Sequence, residues 1–184
     1  MSLEHAILGF LCYAPFSGYD LKKAFDSSVR HFWPADQSQI YRTLTRLADR
    51  GWAEVEVIEQ DDRPDRKVYH ITEVGREELR RWLTTPLPFE EVRHTSLIQV
   101  FFAAQLSDEE ILDIFEREAE QLRERLARYS RIQQESAQYL EIGSPREVFF
   151  WMLTLEFGIK ATQSRLEWAE SVIQRLKNKE HPSS

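Results

Sequence analysis

Cysteine is almost missing from this chain of 184 residues. The single Cys12 rules out an internal disulfide. Because it sits in an apolar run, it is expected to be a buried small hydrophobe in a reducing compartment, with a redox-sensing thiol as the alternative. The six glycines stand apart from one another, so no Gly-rich loop is available to cradle a phosphate. The five histidines, His5, His31, His70, His94 and His181, lack metal-ligand spacing, and no Cys or carboxylate joins two of them on one helical face. No metal and no cofactor are expected. No Ser, His and acid set occurs in an elbow-like context and Cys12 lies in an apolar helix, so nucleophilic catalysis has no candidate. The expectation is a protein that is not an enzyme. No apolar stretch approaches the ~18 residues of a membrane span, and no charged-then-apolar leader opens the chain. A cytoplasmic protein without a membrane partner is therefore expected. Positive charge is short as well: 24 Lys and Arg face 31 Asp and Glu, for a net charge of -7. Over the whole chain that opposes phosphate binding. Local distribution matters more, and residues 37–50 and 63–67 are each net positive.

What is present is enough apolar material for a core, at 42% hydrophobic residues with five Trp. The most informative stretch runs from Ser38 to Trp52. Ile40, Leu44 and Leu47 recur at helical spacing, Ser38, Gln39, Arg42, Thr45 and Arg46 fall on other faces, and Gly51 ends the run. Asp36 is positioned to cap this helix, which leaves Gln37, Ser38 and Gln39 in its first turn. Ala53, Val55 and Val57 then alternate with acidic residues. Lys67 to Ile71 forms a second alternating segment, and the turn between them carries Arg63 and Arg66 among three aspartates. Helix, strand, polar turn and strand, with donors on the helix and basic residues at the turn, outline a winged helix-turn-helix.

Before this stretch, Leu3 to Leu11 reads as an apolar helix closed by Pro15. Ser17 to Phe25 reads as a second helix, with Leu21, Ala24 and Phe25 inward. Phe32 and Trp33 are expected to plug the angle between the second helix and the recognition helix. After the second strand, Thr72 caps a helix whose packing side is Leu79, Trp82 and Leu83, and Thr85-Pro86-Leu87-Pro88 marks a boundary. The expected domains are 1–85, a winged helix, and 86–180, a helical domain, with a disordered tail at 181–184.

In the second half, Ser96 to Gln105 reads as a short apolar helix. Ser107 to Glu110 is a capping box opening a helix to about Tyr139, with Leu112, Phe115, Ala119, Leu122, Leu126 and Tyr129 as its seam. After Gly143-Ser144-Pro145, the last helix carries a stricter seam that includes Val148, Met152, Leu155, Ile159, Leu166 and Ile173. The two helices should pack antiparallel. Because Phe149, Phe150, Trp151, Leu153 and Phe157 make the last helix apolar nearly all round, a second copy is expected to complete its burial. The seam residues are taken as the dimer interface. Phe101, Phe102, Phe150 and Trp151 are candidate lining for a cavity that would take a planar aromatic effector; plain dimer core is the competing assignment.

The ordered set Trp33-Pro34, Ser38-Gln39-Ile40-Tyr41-Arg42, Leu44, Leu47, Gly51, Arg66-Lys67-Val68-Tyr69 and Ile71-Thr72-Glu73-Val74-Gly75 resembles the PadR family of bacterial transcriptional regulators. Phe101-Phe102-Ala103 and Leu106-Ser107 resemble the longer, AphA-like members. The resemblance implies a mainly α fold with a small β-hairpin: a winged helix-turn-helix, then a helical, coiled-coil-like dimerisation domain. It also implies a homodimeric repressor binding a near-palindromic double-stranded DNA operator. The DNA-binding residues expected are Gln37, Ser38, Gln39, Tyr41, Arg42, Thr45, Arg46, Arg63, Arg66 and Lys67. A protein-interaction module on the same fold is the rival reading.

Overall fold

The computed structural model describes residues 2–60, 65–88, 93–134 and 143–180, in two compact units, Met1–Glu90 and Glu91–Ser184. The first unit opens with α1 (Ser2–Tyr13), which buries Ile7, Leu8 and Leu11. Its polar residues Glu4 and His5 are buried as well. A strand of two residues, β1 (Phe16–Ser17), leads into α2 (Gly18–Ser27), whose first turn is capped by the Ser17 hydroxyl accepting from the Asp20 N–H. After a single 3-10 turn comes α3 (Gln37–Asp49). Leu21 and Phe25 from α2 and Ile40, Leu44 and Leu47 from α3 meet the α1 residues in one core. Gly51, at φ 70°, stops α3 in the left-handed region that a side chain disfavours.

Phe32 and Trp33 do not plug the helix angle: they are 50% and 37% exposed. Val29 and Ala35, smaller residues on either side of them, pack against the core instead. The sheet is larger than a hairpin, because β1 adds to β2 (Ala53–Ile58) and β3 (Arg66–Ile71) in the antiparallel order β1-β3-β2. Central β3 buries Val68 and Tyr69, whereas edge strand β2 buries only Ala53, and Val55 and Val57 are exposed. Asp61 to Pro64, including Arg63, lie outside the described residues.

Thr72 caps α4 (Glu73–Thr84), accepting from the Gly75 N–H and donating to the Gly51 carbonyl at 2.7 Å. Trp82 stacks on His5 with ring centroids 4.6 Å apart, and Leu79 packs on the core, but Leu83 is exposed. Cys12 is half-buried rather than enclosed, and desolvation holds its thiol above the usual pKa despite nearby Arg76.

The His5 Nε2 lies 3.0 Å from a Glu78 carboxylate oxygen, which Arg81 also engages. The hydrogen bond from His5, more than that from Arg81, holds the Glu78 carboxyl below its ordinary value of 4.5. A depressed carboxylate pKa contributes stability above the unfolded value, and that stability is lost as pH falls through the folded value. Glu78→Gln is therefore expected to lower the melting temperature at neutral pH and to flatten its fall between about pH 6 and about pH 3. Melting curves of both proteins across that range check it. Parallel acid limbs would show that Glu78 has no share in the acid sensitivity.

In the second unit, α5 (Thr95–Phe101) and a 3-10 turn precede α6 (Asp108–Gln134) and α7 (Pro145–Lys177). Capping boxes open both long helices, Ser107 with Glu110 and Ser144 with Glu147. The expected extension to Tyr139 and the tail 181–184 fall outside the described residues. Lys177 pairs with Glu116, Arg123 with Glu170, and Gly158 abuts the Tyr129 ring, a falling register that makes α6 and α7 antiparallel. Among the described residues, no helix is long and apolar enough to cross a membrane.

The seam proposed for the dimer is occupied within one chain. Val148, Leu155 and Ile173 are buried along with Phe115, Ala119, Leu122 and Tyr129 of α6, and Met152, Ile159 and Leu166 are half-buried. At 100° per residue, Phe149, Phe150, Leu153 and Phe157 fall away from that seam and are exposed, Phe157 at 74%. The α7 helix therefore has two apolar faces, and the described residues of this unit cover only one. Nor, among the described residues, do the four proposed pocket residues enclose a cavity. Phe101 is 81% exposed and stands edge to face on Phe102, Phe150 is also exposed, and Trp151 lies over Gly143.

Candidate nucleic-acid interface

The helical period sorts α3 into faces. Ile40, Thr43, Leu44 and Leu47 are buried. Directly opposite lies the exposed row Ser38, Arg42, Thr45 and Asp49, at successive spacings of four, three and four. Gln37 and Tyr41 flank this row on one side, and Gln39 and Arg46 on the other. Asp49 makes the far end of the row negative. The donors are thus concentrated in the N-terminal half, where recognition helices meet base edges.

Tyr41 is held by its surroundings. Its ring lies over Gly18 so closely that a Cβ there would sit 2.7 Å from it. Beside it Thr45 donates to the Tyr41 carbonyl and is hydrogen-bonded to Tyr69, whose hydroxyl pKa is raised by burial. Tyr69 comes from the centre of the sheet, so the wing strand and the recognition helix are joined at this point.

The polar residues expected at the interface divide by what else they touch. Arg42 and Lys67 are exposed and make no ion pair among the described residues. Gln39 is engaged locally: its side-chain oxygen accepts from the Asp36 N–H at 3.0 Å while Asp36 accepts from the Gln39 N–H at 2.7 Å. This capping box takes the oxygen that bidentate reading of adenine requires. Arg66 donates to Asp20 at 2.6 Å, and the Asp20 carboxyl is held below its usual range by its bond from Ser17 first and by Arg66 second. Arg46 donates to Thr43 at 3.0 Å and lies 3.6 Å from Glu4, which also receives Arg50 at 3.0 Å. Arg63 cannot be placed, being outside the described residues.

Sequence reasoning missed Glu4, Gly18, Asp20 and Tyr69. The signal for Glu4 was on view: a carboxylate and an imidazole, Glu4-His5, interrupt an otherwise apolar helix. Such residues are seldom buried without partners.

Residues 7–81 match the Transcriptional regulator PadR-like family, and residues 92–177 match Virulence activator alpha C-term. The chain is 32% identical over 181 residues to the negative transcriptional regulator PadR of Bacillus subtilis, covering 95% of this chain and 97% of that one. It is 47% identical over 87 residues to a probable transcriptional regulator of Mycobacterium tuberculosis, an alignment spanning 47% of this chain and 46% of that protein. Among solved structures, Bacillus subtilis PadR in complex with operator DNA superimposes with a TM-score of 0.79 at 30% identity, covering 96% of this chain and 99% of that one.

Proposed function

This chain belongs to the PadR-like family of transcriptional regulators, and on that premise we propose that it is a homodimeric repressor that binds a near-palindromic duplex operator. The observation that carries the reading is the outward row Ser38, Arg42 and Thr45 on a capped recognition helix, with Lys67 exposed on the wing strand and in no ion pair among the described residues. One relative supports it on two counts: Bacillus subtilis PadR is solved on operator DNA and is named a negative regulator. In this reading residues 1–85 contact DNA and residues 86–180 pair two copies. Regulation then follows from occupancy of the operator in the cytoplasm, with no catalytic step.

Ser38 and Gln37 stand at base edges, Tyr41 and Thr45 brace them, and Arg42 and Lys67 hold phosphates. The dimer contact is the uncovered face of α7, Phe149, Phe150, Leu153 and Phe157, rather than the filled seam. A planar aromatic effector would have to be enclosed by that second copy, since Phe101, Phe102 and Phe150 stand open in one chain.

Each cation taken off a phosphate lowers the slope of log K against log salt by about 0.9, and in a two-fold dimer one substitution takes off two. Arg42→Ala and Lys67→Ala are each expected to flatten the slope by roughly two units and to weaken cognate and unrelated duplexes alike. Arg66→Ala should change it far less, because Asp20 already compensates that charge. Salt titrations on a duplex selected from random DNA, and on its scrambled counterpart, check this. A slope unmoved by both Arg42→Ala and Lys67→Ala would take these residues off the phosphates.

A further inference from the structure

The recognition helix and the residue that follows it carry three arginines, Arg42, Arg46 and Arg50, and among the described residues Arg46 and Arg50 pair with a carboxylate while Arg42 does not. Arg46 and Arg50 converge on Glu4, a side chain of α1 with only 4% of its residue surface exposed. Their own side chains are about half exposed, so their outer edges reach solvent beside the DNA-facing row. Thr43 holds Arg46 from below at 3.0 Å, and the Arg50 guanidinium lies 4.9 Å from the centre of the Trp52 ring.

A carboxylate this deep depends on its partners, because an ionised group out of water is costly unless it is paired. The pull on Arg46 and Arg50 is therefore stronger than in an exposed ion pair such as Arg66 with Asp20. Non-specific DNA affinity comes almost wholly from uncompensated Lys and Arg, whereas base-edge contacts add affinity only on the matched site. A residue that withholds cations from phosphate thus raises the ratio of specific to non-specific binding.

We propose that Glu4 is a specificity-determining residue: it draws Arg46 and Arg50 off the DNA backbone and so suppresses binding to unrelated sequence. The proposal rests on the DNA-binding reading above. Glu4→Gln keeps the shape and removes the charge, leaving two more cations for phosphate in each subunit. Binding of the full-length protein to a short duplex of arbitrary sequence, titrated with salt, is the test. Glu4→Gln should bind that duplex at least about tenfold more tightly at low salt, with a slope steeper by up to roughly two units per subunit. Binding to the selected operator should gain less. Arg46→Gln, at an exposed position, should leave the native slope nearly unchanged, and in the Glu4→Gln background it should remove about half of the gain. This single change also serves if Glu4→Gln does not fold. A native slope that falls by about 0.9 per subunit in Arg46→Gln would overturn the proposal, as would a folded Glu4→Gln protein with unaltered affinity for arbitrary DNA. If the native protein binds neither duplex, the DNA reading fails and the proposal with it, an outcome distinct from a failure confined to the variants.

Discussion

Gly75→Ala is expected to destabilise the first unit by about 3 kcal/mol, at the upper end of what a misplaced methyl costs in a packed site. The added Cβ would stand 2.2 Å from the Trp52 carbonyl oxygen and 3.0 Å from Cγ1 of Ile71. A side chain could rotate away, but the Trp52 carbonyl cannot. It is part of the backbone between α3 and β2, and it accepts the Thr72 N–H at 3.1 Å. Relief therefore requires α4 to lift, which would strain the Thr72 cap and the stacking of Trp82 on His5. Gly9→Ala is the natural control, because nothing lies within 4 Å of the Cβ it would add in the middle of α1. That change should stabilise by roughly 0.5–1 kcal/mol, the ordinary gain of Ala over Gly inside a helix. Thermal denaturation of both variants measures the contrast. A Gly75→Ala protein that melts within a degree or two of the native one would mean that the helix can shift at little cost.

How much of this was legible beforehand depends on the range of the interaction. The capping of α3 by Asp36 and of α4 by Thr72 was readable because a cap and its helix are adjacent in sequence, and so was the opening of α6 by Ser107 and Glu110. Helical spacing likewise placed Ile40, Leu44 and Leu47 in the core. Partners distant along the chain were not readable. Nothing local says that Glu4 meets Arg50 or that Asp20 meets Arg66, and those pairings decide which basic residues remain free for DNA. Alternation placed β2 as a strand but could not tell which of its faces is covered: as an edge strand it leaves Val55 and Val57 exposed. Strand β1 was missed because two residues are too few to have a period. In the candidate site, the position of Gln39 was read correctly, but its side-chain oxygen is already engaged in the cap.

The same limit governed the second unit. The apolar excess of α7 was evident, but which of its faces the chain covers itself could not be told from periodicity. The filled seam and the open stripe should respond differently to substitution. Leu155, 2% exposed, lies in the seam, and Leu155→Glu would bury an unpaired carboxylate there and unfold the α6–α7 pair. The combined change Phe149→Ser and Phe157→Ser alters only exposed rings, so helicity and the melting of the isolated chain should be retained while association is abolished. Burying a large apolar side chain contributes about 1.5–3 kcal/mol, and a symmetric interface holds each ring twice. The two changes thus remove on the order of 6 kcal/mol, a rise of about ten-thousand-fold in the dimer dissociation constant. Sedimentation of native and variant protein at micromolar concentration should give the dimer mass for the first and the monomer mass for the second. Operator affinity should fall with it, because a monomer can occupy only one half-site of a palindrome. A variant that sediments as a dimer would move the interface off this face of α7, and onto the exposed apolar residues of α5, Leu97, Ile98 and Phe101.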